Sequence, residues 1–238
     1  SGRECAAALR GEGFEVIELD AGADLAQRLE HLRPDVAFNA LHGRWGEDGV
    51  VQGVLQCLKI AYTHSGVLSS ALGMDKQRSK KAFVEAGLPV VDSKIVAKSD
   101  AASQFLLPAP YVIKPNNEGS SVGIYFVQDG ANVLPDLGDD LPDLVMIERF
   151  VPGRELTTTV PDDQALAVTD IITEKWYDYA AKYHPGGSRH VVPANVAAEI
   201  TAACLDYALR AHQALGCRGL SRTDFSWDEM KGLEGLIL

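Results

Sequence analysis

The sequence predicts an α/β protein, and three patterns in its 238 residues carry that prediction. Near the start, strand-like and helix-like segments alternate. In the middle, two strand-like segments are joined by a short polar turn. Near the end, an amphipathic helix stands between strand-like segments. A chain of this length is long for one simple core and short for three independent ones, so we expect two or three lobes that share interfaces.

The first lobe is expected to contain a parallel sheet. Residues 14–19 and 35–39 have the composition of strands, and the leucines of residues 25–32 recur at helical spacing. This β-α-β order favours parallel strands with helices packed against them. Ligands commonly bind in the loops that follow such strands, and the polar, glycine-rich residues 39–49 form a loop of that kind.

The middle of the chain predicts a long helix and then a hairpin. A helical pattern covers residues 68–86, and Gly87 followed by Pro89 is a typical end for it. Residues 111–114 and 122–127 have strand composition, and the tight polar turn between them indicates an antiparallel pair.

The next part predicts further strands and one irregular segment. Residues 144–147 form a short apolar strand, and residues 155–160 and 165–172 alternate well enough to pair as antiparallel strands. Residues 176–193 are rich in Tyr, Lys, Gly and His and have no period, which is typical of a functional or disordered loop.

The last part predicts a helix and two strands. Apolar residues of the segment 200–215 fall on one helical face, and Gly216 ends it. Residues 221–226 and 235–238 have strand character. Because the second of these is cut short, and because the sequence opens directly in a helix-like run at residues 3–9, we expect both ends to be incomplete.

Composition narrows the function classes. Apolar residues make up 46% and charged residues 23%, as in an ordinary soluble enzyme. The net charge of -11 argues against broad nucleic-acid binding, although a local cluster of cations can still hold a nucleotide. No segment approaches the roughly 20 apolar residues of a membrane span. The cysteines lie far apart and predict buried thiols in a reducing, cytoplasmic compartment: Cys5, Cys57, Cys204 and Cys217.

The strongest local signal is the glycine- and serine-rich segment that starts at Lys114. Gly119 and Gly123 let the backbone approach a ligand closely, and backbone N–H groups with the hydroxyls of Ser120 and Ser121 could surround an anion. A plain hairpin turn fits the same string. The segment is not a Walker A loop, and no complete dinucleotide-binding glycine motif occurs in the sequence.

Other charged residues are candidates with two readings each. Lys76 lies in a charged run that also fits a solvated helix face. Glu148 and Glu155 flank a Pro-Gly turn and could hold a ribose or simply face solvent. Arg222 and Asp224 share one face of a probable strand, where they could act on one substrate or form a surface ion pair.

The spacing of candidate ligands and nucleophiles along the sequence limits the kinds of metal site and of nucleophilic catalysis that we expect. Asp224 is a candidate ligand for Mg²⁺, which prefers oxygen ligands. His42 has no second histidine at metal-ligand spacing, so zinc is not expected. Ser120 has no evident His and Asp partners, so a hydrolase triad is not supported.

Taken together in order, these motifs resemble those of the D-alanine–D-alanine ligases, an ATP-grasp family. The matching segments are residues 40–49, 74–76, 114–123, 148–155, 177–183 and 222–224. The resemblance runs over the whole sequence, and the ordered set is far more specific than any single motif.

The resemblance implies an ATP-grasp fold preceded by a Rossmann-like α/β domain. Residues 1–67 would form that N-terminal substrate domain and residues 68–150 the central ATP-grasp subdomain. Residues 151–238 would form the C-terminal subdomain, with a lid loop near 176–193.

The resemblance also implies roles for single residues. The phosphates of ATP would be contacted by Lys76, Lys114, Lys182 and the loop formed by Glu118, Gly119, Ser120 and Ser121. The adenine and ribose would be contacted by Glu148, Arg149, Val151 and Glu155. The substrate wall would include His42, Gly43, Glu47, Tyr177 and Arg222. The catalytic group would be Arg222, Ser120, Tyr183 and Lys182, and Asp224 would bind Mg²⁺ or Mn²⁺.

The implied reaction joins two D-alanine molecules through an acyl phosphate, in peptidoglycan precursor synthesis, by a cytoplasmic homodimer without nucleic-acid or membrane partners. Family motifs that bind the first substrate's ammonium and complete the metal site would fall before Ser1 and after Leu238. Two alternatives remain open: a D-alanine–D-lactate ligase and a catalytically silent ATP-binding module.

Overall fold

A computed structural model of the protein describes residues 2–119, 123–139, 141–173 and 188–238. The fold mixes helices and strands, as the sequence predicts. The α-helices are α1 (Gly2–Gly11), α2 (Leu25–Leu32), α3 (Val50–Cys57), α4 (Val67–Met74), α5 (Lys76–Glu85), α6 (Lys98–Ser103) and α7 (Ala198–Ala214). A 3₁₀-helix covers Glu229–Gly235. The strands are β1 (Val36–Ala37), β2 (Ala61–Tyr62), β3 (Ser93–Ala97), β4 (Tyr111–Pro115), β5 (Tyr125–Val127), β6 (Leu144–Arg149), β7 (Arg154–Pro161), β8 (Val168–Ile172), β9 (Arg189–Val191), β10 (Leu220–Trp227) and β11 (Leu236–Ile237).

The described strands form three sheets. Strands β1 and β2 pair in parallel, so the first lobe contains a parallel pair as predicted, but β1 pairs with β2 and not with residues 14–19. A second sheet has the order β3-β6-β4-β5, and a third has the order β11-β10-β7-β8-β9. Both larger sheets are antiparallel, and they contain the predicted β4–β5 hairpin and the predicted β7–β8 pair.

The strand predicted over residues 14–19 is wrong. In the described part of the chain no strand pairs with this segment, and the side chains of Phe14 and Ile17 are about 60% exposed. Polar groups of this segment are bound by an arginine side chain and not by a neighbouring strand. The guanidinium of Arg10, at the end of α1, donates to the Val16 carbonyl at 3.0 Å and to the Glu18 carboxylate at 3.0 Å. The alternating composition of residues 14–19 therefore does not lead to strand pairing.

The single helix predicted over residues 68–86 is two helices, α4 and α5. The chain leaves helical geometry at Asp75, whose φ and ψ are -90° and 98°. Its carboxylate accepts from the Arg78 backbone N–H at 3.0 Å, so Asp75 caps the second helix at its N-terminus. The break puts Lys76 in the first turn of α5. The predicted end is confirmed, because Gly87 adopts a left-handed conformation with φ 69°.

The irregular segment predicted over residues 176–193 ends in a short strand. Strand β9 pairs with β8, with Asp170 opposite Val191. Residues 174–187 lie outside the described ranges. The segment is therefore wrongly predicted at its end, where three residues extend the third sheet.

Three apolar clusters form the cores of the described chain. The first joins α2 and α3 to β2 through Leu25, Leu29, Val51, Leu55 and Tyr62. The second covers one face of the four-stranded sheet and includes Tyr111, Ile113, Val127, Val145 and Ile147. The third packs α7 against the five-stranded sheet through Leu156, Val160, Ile200, Cys204 and Phe225. No helix in the described ranges has the length and apolar character needed to cross a membrane.

Hydrogen bonds join Ser65, just before α4, and Ser69, within α4, to the turn between α7 and β10. The Ser69 hydroxyl donates to the Gly216 carbonyl at 2.7 Å, and the Ser65 hydroxyl donates to the Arg218 carbonyl at 3.2 Å. The guanidinium of Arg218 lies over the ring of Tyr62, 4.7 Å from its centroid. The start of β10 is thereby fixed against the N-terminal part of the chain.

The turn between β6 and β7 allows no side chain at Gly153. This glycine has φ 125°, and an added Cβ would lie 2.0 Å from the Trp227 carbonyl oxygen. We expect Gly153→Ala to destabilise the fold by roughly 2–4 kcal/mol, because backbone strain and a backbone clash add. Denaturant unfolding measures this. Gly130→Ala is the control, since Gly130 also has positive φ (71°) but no atom within 4 Å of an added Cβ. Equal losses in the two variants would contradict the clash.

Candidate active site

A buried carboxylate shared by two lysines forms the centre of the candidate site. Glu148 on β6 lies opposite Val112 on β4, and Lys114 stands two residues further along β4, on the same face. The Lys114 ammonium donates to Oε1 of Glu148, and the Lys80 ammonium from α5 donates to Oε2. Lys80 also donates to the Val91 carbonyl at 2.9 Å. Sheet and helix thus supply one ammonium each to one carboxylate.

The charges of this centre do not cancel. Burial alone would raise the pKa of Glu148, but the charges of Lys114 and Lys80 outweigh it and hold that pKa below its usual value. Burial lowers the pKa of Lys80 in spite of its contact with Glu148. With Glu148 ionised and both lysines protonated, the three side chains carry one net positive charge. These three side chains can interact favourably with an anion, although Asp92 beside Lys80 offsets part of their charge.

A third lysine stands beside this centre. Lys76, in the first turn of α5, donates through Nζ to the carbonyl of Asn116 at 3.3 Å and to the carbonyl of Glu118. Burial, and then the positive charge of Lys114, lower the pKa of Lys76 to about 8. An anion placed between Lys76 and Lys114 would relieve the repulsion between them.

Asn116 clamps the start of the glycine-rich segment to α5. Its side-chain Nδ2 donates to Asp75 Oδ1 at 2.9 Å, and its Oδ1 accepts from the Gln77 backbone N–H at 2.9 Å. Its backbone carbonyl accepts from the Lys76 N–H at 3.2 Å. Burial would raise the pKa of Asp75, but hydrogen bonds from Asn116 and Arg78 lower it. The charged helix start and the loop therefore hold a fixed relative position.

The glycine-rich segment lies against the loop that the family resemblance predicts to form the substrate wall. A Cβ added to Gly119 would lie 3.8 Å from Glu47 Oε2 and 3.9 Å from the Cα of Gly43. The Glu47 carboxylate accepts from the Gly43 backbone N–H, and His42 beside them is exposed. The Gly46 carbonyl that follows accepts from the buried Gln52 amide at 2.7 Å, which fixes the loop. The structure thus brings two distant motifs together.

Arg222 and Asp224 form a bidentate ion pair on β10. Nε and Nη2 of Arg222 lie 2.9 Å from Oδ1 and Oδ2 of Asp224. The hydroxyl of Thr157 on β7 donates to Asp224 Oδ1 at 2.7 Å. Both charged side chains are more than half exposed. The predicted shared face is confirmed, and the pair is open to a ligand.

Asp224 is the predicted metal ligand, and its carboxylate is more than half exposed, with both oxygens bound by Arg222. Within residues 2–119, 123–139, 141–173 and 188–238, no group of three or more His, Cys, Asp or Glu side chains is arranged to hold a metal ion. An exposed carboxylate suits Mg²⁺, which takes few protein ligands together with phosphate oxygens and waters. The described residues therefore supply Asp224 as one candidate ligand and do not by themselves form a complete metal site.

A cleft of about 510 Å³ opens at the turn between β6 and β7, and its lining begins at Phe150, two residues after Glu148. Its volume suits a small ligand. Its lining consists of Phe150, Val151, Gly153, Arg154, Glu155, Asp170, Ile171, Ile172, Thr173 and Ser226. Val151 and Glu155 are thus in one wall, while Arg149 is exposed just before it. A more open depression of about 680 Å³ along α2 contains none of the predicted site residues.

Sequence reasoning missed two kinds of residue in this region. Arg154 lies in the cleft wall, donates to the Asp170 carboxylate at 2.6 Å and stacks over Trp227 at 5.5 Å. Arg154 could not be recognised from local sequence, because its partner Asp170 lies sixteen residues away. In the sequence, Lys80 is one more charge in a helical run, and only the structure separates it from the exposed Lys81, through its burial and its contact with Glu148.

Several predicted residues lie outside the described ranges. They are Ser120, Ser121, Tyr177, Lys182 and Tyr183. The described structure brings together Lys76, Lys114, Glu118, Gly119 and Glu148, with Gly43 and Glu47 in contact range of the loop. Arg222 and Asp224 lie on one face of the five-stranded sheet, on strand β10, which pairs with β7.

Comparison with known proteins gives consistent matches along the chain. Residues 11–65 match the family model described as D-ala D-ala ligase N-terminus, and residues 82–233 match the one described as D-ala D-ala ligase C-terminus. A D-alanine--D-alanine ligase of Dinoroseobacter shibae is 65% identical over 238 residues, which is all of this chain and 77% of that protein.

Solved structures are similar as well. D-alanine--D-alanine ligase from Bacillus anthracis complexed with ATP has a TM-score of 0.75 and 28% identity, over 99% of this chain and 77% of that one. VanG D-Ala:D-Ser ligase from Enterococcus faecalis has a TM-score of 0.69 and 29% identity, over 86% of this chain and 62% of that one.

Proposed function

The chain belongs to the D-alanine–D-alanine ligase family, and on that premise we propose that it joins two D-alanine molecules to D-alanyl-D-alanine with ATP. The product serves peptidoglycan precursor synthesis. The predicted resemblance is confirmed, and so is the predicted α/β architecture, since the structural neighbours have the ATP-grasp fold. Neither the D-lactate alternative nor the silent-module alternative is favoured by these matches.

The observation that carries the proposal is the gathering of three lysines, Lys76, Lys80 and Lys114, around Glu148 and the glycine-rich segment. Lys76 and Lys114 flank the glycine-rich segment, and β6 continues from Glu148 into the wall of the 510 Å³ cleft. A nucleotide needs a pocket for its base and cations for its phosphates, and these features support the proposal. We assign the adenine to the wall around Val151, with Glu148 and Arg149, and the ribose to Glu155.

The proposed chemistry has two balanced steps. A D-alanine carboxylate oxygen attacks the γ-phosphorus of ATP, ADP leaves, and an acyl phosphate forms. The amine of a second D-alanine attacks the acyl carbon, phosphate leaves with the C–O bonding pair, and the amine loses a proton. Lys76 and Lys114 would stabilise charge during the first step. Arg222 would face the oxyanion of the second step, where positioned cations contribute most.

Other roles stay proposals from the family resemblance. His42, Gly43 and Glu47 would form the substrate wall. Glu118 and Gly119 would cover the phosphates together with Ser120 and Ser121, while Tyr177, Lys182 and Tyr183 would act from the lid loop near 176–193. Asp224 would hold Mg²⁺ or Mn²⁺, which when bound neutralises phosphate charge.

We also propose the division of the chain at residues 67/68 and 150/151. The three apolar clusters support it, since each falls mainly within one of these parts. A cytoplasmic homodimer with D-alanine as substrate, and without nucleic-acid or membrane partners, completes the proposal.

The function is tested by measuring phosphate release and product. We expect release to require both ATP and D-alanine, and the product to be D-alanyl-D-alanine when D-lactate or D-serine is also present. A mixed product with D-lactate or D-serine would favour a ligase of different second-substrate specificity. ATP binding without turnover would favour a silent module.

Arg222→Ala should lower kcat by about a hundredfold while the KM for ATP changes less than about threefold, because its cation acts on the reacting oxyanion and not on the nucleotide. Steady-state kinetics with saturating D-alanine measure both constants. Arg28→Ala, at an exposed position on α2, is the matched control. A rise in KM with unchanged kcat would contradict the assigned role.

The pKa of about 8 for Lys76 predicts a pH dependence. Below this pH the side chain is charged and can contact phosphate, and above it the charge is lost. The kcat/KM for ATP should therefore fall as pH rises through about 8. Lys76→Arg should abolish that fall, because a guanidinium stays protonated throughout. Parallel falls in both proteins would show that another group titrates.

A further inference from the structure

Lys80 is a buried lysine that the proposed function does not use. It lies one turn after Lys76 on the same face of α5, and its side chain is 16% exposed. The next residue, Lys81, is exposed to solvent. Lysine is rarely buried without a paired charge, and here the pair is Glu148, whose other oxygen is bound by Lys114.

The sharing of Glu148 decides how much charge Lys114 can offer. A carboxylate bound by one ammonium forms a neutral pair and holds that ammonium tightly, because the contact is buried. A carboxylate bound by two ammoniums divides its attraction between them. The second ammonium therefore weakens the hold of Glu148 on Lys114 and leaves net positive charge at the centre.

We propose that Lys80 is a positioning residue for the nucleotide phosphates: it occupies one oxygen of Glu148, so that Lys114 stays in place yet keeps positive charge available to ATP. The proposal rests on the proposed contact between Lys114 and phosphate. Lys80 itself touches the Val91 carbonyl and Glu148, and it acts on the ligand through Lys114.

A purely structural role makes a different prediction. Removing one partner of a buried ion pair destabilises a fold, and loss of stability alone lowers the active fraction without changing the affinity of the folded remainder. Stability and ATP affinity must therefore be measured separately.

The test uses Lys80→Met, Lys114→Met, the double variant and the matched control Lys81→Met. The Kd for ATP is measured by calorimetry without D-alanine, kcat by steady-state turnover, and stability by denaturant unfolding. We expect Lys80→Met to weaken ATP binding about tenfold, as for one charge-assisted contact, with kcat changed less than about threefold. Lys81→Met should match the wild type. In the Lys114→Met background, Lys80→Met should add nothing further.

Each other outcome has a definite meaning. Equal weakening by Lys80→Met in both backgrounds would show a general charge effect and overturn the proposal, as would a Kd equal to that of Lys81→Met. If Lys114→Met leaves the Kd unchanged, the proposed phosphate contact itself fails. If Lys80→Met does not fold, Lys80→Gln replaces it, since Gln keeps an N–H donor for Val91 without the charge, and the same expectations apply.

Discussion

The rest of the site depends on one carboxylate that cannot be buried alone. Glu148 is buried on one face of the four-stranded sheet. Its ionised form is stabilised there because the ammonium groups of Lys114 on β4 and Lys80 on α5 both bind it. That requirement fixes the distance between sheet and helix. The fixed distance, in turn, places Lys76 and the glycine-rich segment, since α5 begins at the Asp75 cap. Charge pairing in the interior thus sets the geometry of the surface that faces the ligand.

The fold was predictable where local pattern decides structure. The hairpin of β4 and β5, the pair of β7 and β8, and helix α7 all follow from alternation, turn composition or helical period within one segment. Prediction failed where the outcome depends on distant groups. Residues 14–19 lack a strand partner in the described chain, and the helix break at Asp75 is set by a cap that also binds Asn116. Strand β3 and helix α6 have no distinct pattern and were not predicted.

The candidate site was predictable mainly through ordered motifs. Taken singly, Lys76 and Glu148 could also be surface charges, and the order of the motifs along the sequence led to the ligase family. The convergence of Gly119 with Glu47 could not be read from spacing, since it depends on how two sheets and their loops meet. The role of Arg154 was missed for the same reason, because its partners lie on β8 and the 3₁₀-helix.

The hydrogen bonds at Gly216 and Arg218 anchor one end of β10, and a second contact anchors the other. Its start is fixed to Ser65 and Ser69, and at its far end the Trp227 indole donates to the Gly232 carbonyl at 2.9 Å. A strand that is anchored at both ends moves together with the elements to which it is bound. A shift of the N-terminal lobe would therefore also shift β10 and, with it, the ion pair of Arg222 and Asp224.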